Sequence, residues 1–112
     1  MNKLITVAVI DSGIYPHIDF KNRIVAFKDF VNGRKNAYDD CGHGTHVSGI
    51  IAGSGYASHG RIKGICPAAN LAGIKVLDRL GNGRIENVLD AAGWIISHQK
   101  DLNIRVVNIS FG

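Results

Sequence analysis

The stretch LITVAVI, residues 4–10, decides the fold. It is almost continuously apolar and rich in β-branched residues, which is typical of a strand buried on both faces of a parallel sheet. The runs LAGIKVL (71–77) and RVVNIS (105–110) share this pattern. The run RIVAFKDFV (23–31) mixes charged with apolar residues, so we expect its strand nearer an edge of the sheet.

Two helical patterns lie between these predicted strands. In HGTHVSGIIAG (43–53), a short apolar face adjoins small residues that permit close approach to a sheet, and we expect this helix to be buried. In IENVLDAAGWIISHQK (85–100), apolar residues recur at helical spacing opposite a polar face. The apolar positions of the two helices are Val47, Ile50 and Ile51 in the first, and Ile85, Val88, Leu89, Ala92, Ile95 and Ile96 in the second; the small ones are Gly49, Ala52 and Gly53.

Strands that alternate with helices predict an α/β fold with a doubly wound parallel sheet, whose ligands bind at the carboxyl ends of the strands. A length of 112 residues fits one domain. The stretch GSGYASHGRIKG (53–64) is rich in glycine and indicates a surface loop.

The charge, the apolar runs and the cysteines of the chain argue against several classes of function. The charge of +4 is scattered without a run of like charges, which argues against nucleic acid as a partner. The apolar run before Asp11 is too short for a membrane span or a secretory signal, so we predict no membrane partner and a cytoplasmic location. Cys41 and Cys66 stand in unrelated contexts and are predicted to be free thiols, as in a reducing compartment.

The candidate chemistry centres on Asp11 and His43. Asp11 follows the first predicted strand directly, and His43 begins the first helix between two glycines. Both are expected at one edge of the sheet, where a carboxylate can fix the tautomer of an imidazole and stabilise the imidazolium.

Four stretches carry a family resemblance: VAVIDSGI (7–14), GHGTHVSGIIAG (42–53), GICPAANLAGIKVL (64–77) and VVNISFG (106–112). In this order they resemble the successive signatures of the subtilisin-like serine proteases, the subtilases, and most of all their intracellular bacterial members. The resemblance covers essentially the whole chain. It implies that residues 1–112 are the N-terminal portion of one subtilisin-like peptidase domain, with Asp11 as the orienting carboxylate and His43 as the general base of an Asp–His–Ser triad.

The triad's nucleophile is missing from this resemblance. In the family it lies in a Gly-Thr-Ser-Met-Ala segment at the start of a later helix, and no serine of this chain stands in such a segment. We therefore expect the 112 residues to stop before the serine, to be inactive alone, and to need the missing C-terminal part of the domain as a partner. The strand at 105–110 would then be internal in the complete sheet and an exposed apolar edge here.

The resemblance also implies a substrate site, in which a peptide binds as an added strand between residues 80–83 and residues 110–112. Leu77, Ile85, Val88 and Phe111 match family positions around a pocket about four residues upstream of the scissile bond, although helix and strand periodicity alone explains Leu77 and Val88 equally well as core. The implied substrate-binding residues are Leu77, Leu80, Gly81, Asn82, Gly83, Ile85, Val88, Ser110, Phe111 and Gly112.

No cofactor is required by this scheme. Asp19 matches a calcium ligand in some family members, but the other ligands belong to segments without a recognisable counterpart here, so a turn or salt-bridge role for Asp19 is favoured. His46 is expected to be a hydrogen-bonded structural histidine. Cys66 is expected to be a buried hydrophobic residue.

Cys41 and the two aspartates before it have two interpretations each. Cys41, two residues before His43, could make activity sensitive to thiol reagents or could be an inert small residue. Asp39 and Asp40 either face bound substrate and favour basic side chains, or form a solvated charged loop, which is favoured.

Three other functions fit parts of the sequence. A metal site at residues 39–46 has suitable ligand types but no standard zinc spacing. A dinucleotide site lacks G-x-G-x-x-G after the first strand. The main rival is a truncated, non-catalytic subtilase-like fragment with at most weak peptide binding.

Overall fold

The computed structural model describes residues 4–110 and has a parallel sheet of four strands in the order β2-β3-β1-β4. The helix α1 connects β2 to β3, and α2 connects β3 to β4. Each predicted strand and helix is confirmed, with ends that differ by at most two residues from the sequence patterns, and β2 lies at an edge as expected. The elements are β1 (Thr6–Asp11), β2 (Ile24–Asp29), α1 (His43–Ala52), β3 (Asn70–Lys75), α2 (Ile85–Leu102) and β4 (Ile104–Ile109), with short 3-10 turns at Ile18–Phe20 and Tyr56–Ser58.

Alternate residues of the central strands belong to two separate hydrophobic cores, one on each face of the sheet. Because successive side chains of a strand point to opposite faces, Val7 and Val9 pack on the α1 side while Ala8 and Ile10 pack on the α2 side. The two helices therefore cover opposite faces, which confirms the doubly wound α/β arrangement. All six residues of β1 are buried, so the sheet's centre is also the protein's core.

The helix α1 packs on the sheet through a stripe of small residues, Gly44, Ser48 and Ala52, all buried. A Cβ added to Gly44 would lie 2.1 Å from the carbonyl oxygen of Gly13, so only glycine permits this approach. The prediction of close approach at Gly49 is wrong, since a Cβ there would meet nothing within 4 Å. The helix is also less buried than expected, because this stripe turns Ile50 outward, where it is 53% exposed.

The helix α2 carries two apolar stripes, of which the sheet covers one. Ala91 and Ile95 are buried, with the half-buried Trp94 packed beside them. The prediction of a single apolar face is wrong, because most of the residues assigned to it form a second stripe that faces solvent. The exposed members are Ile85, Leu89, Ala92 and Ile96. Within residues 4–110, no helix has the length and apolarity needed to cross a membrane.

The strand β4 forms the second edge of the sheet and is mostly exposed. Val106, Val107 and Ile109 are 47%, 43% and 54% exposed, although the sequence pattern is that of a buried strand. No other strand among residues 4–110 pairs with this edge, which therefore offers unpaired backbone groups beside apolar side chains. That β4 is internal in a larger sheet stays a prediction.

Candidate active site

Asp11 and His43 meet at the carboxyl end of β1. The Nδ1 atom of His43 lies 2.8 Å from Oδ1 and 3.0 Å from Oδ2 of Asp11. The carboxylate is fully buried, whereas the His43 side chain is 47% exposed. With Nδ1 engaged by the carboxylate, Nε2 is the ring nitrogen left for another reactant.

The carboxylate of Asp11 is held by its own strand end. The backbone N–H of Ser12 donates to Oδ1 at 2.7 Å. The backbone carbonyl of Asp11 accepts from the N–H groups of Val76 and Leu77, at 2.9 and 3.3 Å. The end of β1 and the chain that leaves β3 are thus fixed against each other.

His43 is placed by the N-terminus of α1, whose free N–H groups bind side chains from outside the helix. Ser12 Oγ accepts from Gly44 N at 2.9 Å, and Asp39 Oδ2 accepts from Thr45 N at the same distance. The Ser12 hydroxyl in turn donates to Asp39 Oδ1 at 2.8 Å. These acceptors satisfy N–H donors of the first helical turn. They therefore hold the start of α1, which carries His43, against Ser12, the residue after Asp11.

Asp39 is the centre of this network. Burial alone would raise its pKa, but hydrogen bonds from the Thr45 hydroxyl, Gly42 N, Thr45 N and the Ser12 hydroxyl outweigh burial and hold the pKa below its usual value. The solvated-loop interpretation is therefore wrong for Asp39, whose carboxylate is bound within the protein. Asp40 is exposed, as that interpretation expects, although its Oδ1 accepts from Lys75 Nζ at 2.7 Å.

Most of the predicted substrate-binding residues lie around one cavity of about 370 Å³. Leu77 also belongs to the core, and Val88 packs against it, so the two interpretations of these residues hold together. The cavity is lined by Leu77, Gly81, Asn82, Gly83, Arg84, Ile85 and Val88. Leu80 is 73% exposed beside it, and exposed Ser110 follows β4. Phe111 and Gly112 lie outside the described residues.

The loop at residues 77–83 has a defined shape. Leu77 and Gly83 pair as an antiparallel bridge, and a Cβ on Gly83 would lie 2.7 Å from the Val76 carbonyl oxygen. The exposed Asp78 carboxylate accepts from the backbone N–H groups of Leu80 and Asn82, which lower its pKa. The N–H groups of Leu80, Gly81 and Asn82 are thus used within the loop and fix the shape of its backbone beside the cavity.

The remaining predictions have mixed outcomes. Cys41 and Cys66 are free as predicted, but Cys66 is exposed and not buried, because the turn before β3 turns it away from both cores. His46 is exposed, and among the contacts of residues 4–110 its imidazole makes no hydrogen bond, so the expectation of a hydrogen-bonded histidine is wrong.

The calcium prediction at Asp19 stays a prediction. Asp19 Oδ1 accepts from Ala57 N at 2.8 Å, which fits the turn role. Within the described part of the chain, no three His, Cys, Asp or Glu side chains are grouped to hold a metal ion.

Sequence reasoning missed Ser12, Asp39 as a helix-binding carboxylate, and Lys75. Ser12 and Asp39 give little signal, because their contacts join residues 27 positions apart. Lys75 gives a stronger one: it is a charged residue within an apolar run that predicts a buried strand.

The buried carboxylate and the imidazole at the carboxyl edge of the sheet are two of the three groups that the class of triad hydrolases uses. Comparison with known proteins specifies the class. Residues 2–112 match the family model described as the subtilase family. The chain belongs to the subtilase family.

The relatives show how much of a subtilase is present. Serine protease AprX of Bacillus subtilis (strain 168) is 46% identical over 99 residues, 88% of this chain and 22% of the relative. Subtilisin E of the same strain is 39% identical over 110 residues, 96% of this chain and 27% of the relative. The crystal structure of a cold adapted subtilisin-like serine proteinase matches with a TM-score of 0.72 and 35% identity, covering 83% of this chain and 32% of that one. The chain thus spans less than a third of these relatives.

Proposed function

We propose that the protein containing these residues is a serine endopeptidase, in which this chain supplies Asp11 and His43 and a segment outside residues 1–112 supplies the serine. The observation that carries the proposal is the 2.8 Å contact between Nδ1 of His43 and the fully buried carboxylate of Asp11. Membership of the subtilase family supports the same reaction.

The geometry suits a general base. The Asp11 carboxylate accepts a hydrogen bond from Nδ1–H, so Nε2 carries a lone pair and can take the proton of a serine hydroxyl. The serine oxygen then forms a bond to the scissile carbonyl carbon, and the imidazolium gives its proton to the leaving amine. Water attacks the resulting acyl-enzyme by the same route and releases the acid. The buried carboxylate stabilises the imidazolium throughout.

The substrate in this proposal is a peptide in extended conformation. Its backbone pairs with residues 80–83 on one side and residues 110–112 on the other, and one apolar side chain enters the cavity of about 370 Å³. Leu77, Ile85 and Val88 supply the apolar part of the cavity wall.

The rest of the catalytic domain is the partner proposed for β4 and for the exposed stripe of α2. Val106, Val107 and Ile109 on the strand, with Leu89 and Ile96 on the helix, are all 43% exposed or more. A further parallel strand beside β4 would satisfy its free backbone groups and cover these side chains.

The test uses the full-length protein from its native source. A fluorophosphonate probe should label a species well above 12.0 kDa that contains this segment. His43→Ala should abolish labelling and lower peptide hydrolysis by about 10⁴-fold or more, as in other triads. His46→Ala, one turn further along α1, is the matched control and should retain activity.

Two results would contradict the proposal. An unlabelled species near 12.0 kDa would favour the non-catalytic fragment, whose function would then be peptide binding. Hydrolysis by the isolated 112 residues that depends on His43 would show that the serine does not have to come from elsewhere.

A further inference from the structure

The last residue of β3 is a fully buried lysine. Lys75 Nζ donates to the carbonyl oxygens of Ser12 and Leu77, both at 2.6 Å, and to Asp40 Oδ1 at 2.7 Å. Its three N–H donors therefore have three acceptors. The ring of Tyr38 lies 5.3 Å from Nζ and covers the group from another side.

The three acceptors come from three segments that the proposed protease uses. Ser12 follows Asp11, Leu77 opens the substrate loop 77–83, and Asp40 lies in the loop that leads to His43. Asp11 and Lys75 are direct neighbours in the register of β1 and β3. A compact ammonium group can bind acceptors that converge from three directions, which a planar guanidinium cannot match.

Stability alone is a weak reason for this lysine. Burying an ammonium group costs free energy, and well-packed apolar residues in place of a buried ion pair are often neutral or stabilising. The surrounding strand is apolar and would accept a neutral side chain of similar length. The contacts of Nζ, and not the packing of its stem, distinguish lysine from methionine at this position.

We propose that Lys75 is a positioning residue of the active site, which fixes the backbone after Asp11 relative to the start of the substrate loop. Without Nζ, the carbonyl groups of Ser12 and Leu77 lose their common donor. The hydrogen bonds from Val76 N and Leu77 N to the Asp11 carbonyl still join the two segments, but their spacing beyond Asp11 is less firmly fixed. The distance between the general base and the bound scissile bond then changes. The inference rests on the proposed protease function.

The test compares variants of the full-length protease. Lys75→Met removes the charge and all three hydrogen bonds at similar volume, and should lower kcat by about tenfold or more with a rise in KM, because small misplacements of reacting groups cost up to about 10²-fold. Active sites are counted with a fluorophosphonate probe, and rates are measured well below the unfolding temperature of each variant. Unfolded protein then does not affect kcat.

Arg23→Met is the matched control. Arg23 also donates to three backbone carbonyls, those of Asp19, Ala52 and Ala69, but at the C-terminal end of α1, away from His43 at its start. This variant should lose stability and keep kcat and KM within about twofold. Asp40→Asn retains an acceptor oxygen for Nζ and should keep kcat within about threefold.

Each outcome decides the matter. If Lys75→Met keeps kcat and KM within about twofold of wild type, or if Arg23→Met changes them equally, the inference is wrong. If Lys75→Met does not fold, Lys75→Gln, which keeps one donor group, replaces it with Arg23→Gln as control. Failure of both Lys75 variants to fold assigns the lysine to the fold and overturns the inference. A wild-type protein without hydrolytic activity refutes the proposed function itself, a result that no Lys75 variant can produce.

Discussion

The carboxyl end of β1 and the outer side of β4 depart in opposite directions from the usual division between polar surface and apolar interior. Asp11, Ser12 and Lys75 are polar and fully buried, whereas Val106 and Val107 are apolar and nearly half exposed. Every buried polar group of the first region has protein partners. Val106 and Val107 of the second belong to neither hydrophobic core of the described residues. The first region is a buried polar network, and the second is an exposed apolar edge of the described sheet.

The largest effect on stability should come from Gly44, where α1 approaches the end of β1 most closely. Gly44→Ala should lower the free energy of unfolding by about 3 kcal/mol, because its Cβ would lie 2.1 Å from Gly13 O and 3.2 Å from Asp11 Cβ. Gly49→Ala, on the open side of the same helix, should raise it by about 1 kcal/mol. Urea unfolding of the full-length protein in a His43→Ala background, which prevents self-digestion, measures both. Equal effects at the two glycines would show that α1 does not pack as described.

A charge on β4 tests the second region. In the full-length protein, Val107→Lys should lower the free energy of unfolding by about 2 kcal/mol, because the proposed neighbouring strand would bury the ammonium group. Val25→Lys on the opposite edge strand, where the wild-type valine is 41% exposed, should change it by less than about 0.5 kcal/mol. Urea unfolding again gives the values. A neutral Val107→Lys would mean that β4 remains an edge.

Low pH should reduce the contribution of Asp39 to the free energy of unfolding. Its folded-state pKa is lowered, so its stabilisation is fully present above the unfolded value of about 3.9 and is lost as pH falls through the lower folded value. Asp39→Asn should therefore cost about 1–2 kcal/mol at pH 7, and the difference from wild type should shrink below about pH 4. Denaturant unfolding across this range is the measurement, with exposed Asp90→Asn of α2 as the control. A difference that grows toward low pH would contradict the network around Asp39.

The smallest effect concerns Cys41, which is exposed two residues before His43. A bulky thiol reagent should reduce hydrolysis several-fold, because the adduct would stand at the mouth of the proposed site. Cys41→Ser should remove this sensitivity, and Cys66→Ser, which alters an equally exposed but remote thiol, should retain it. Sensitivity that follows Cys66 instead would leave Cys41 as the inert small residue.

The elements and their order were predictable, because the signal for each lies within about ten consecutive residues. Residues 6–10 are buried, as the continuous apolarity of the run 4–10 predicts, whereas Leu4 and Ile5 at its start are exposed. The exposed stripe of α2 was not predictable, since Leu89 and Ile96 have the same helical periodicity whether or not the sheet covers them. For the same reason the burial of Cys66 was predicted wrongly: its position relative to the two cores depends on a turn.

In the candidate site, Asp11 and His43 could be named because each stands at a strand end or a helix start that the local pattern indicates. The residues that hold these two side chains in place could not be named from the local pattern. The contact of Asp39 with Ser12 joins distant parts of the chain, and that of Lys75 with Ser12 spans 63 positions. Such pairs follow from the sheet order β2-β3-β1-β4, which no local pattern specifies.

By itself, the sequence determined the α/β class, the succession of strands and helices, and the family resemblance, because apolar periodicity and short motifs are properties of neighbouring residues. Only the tertiary structure decided which apolar stripe meets the sheet, why residue 44 must be glycine, and which buried donors hold Asp11, His43 and the substrate loop together. These depend on distances between segments far apart in the chain, and those distances exist only once the sheet has formed.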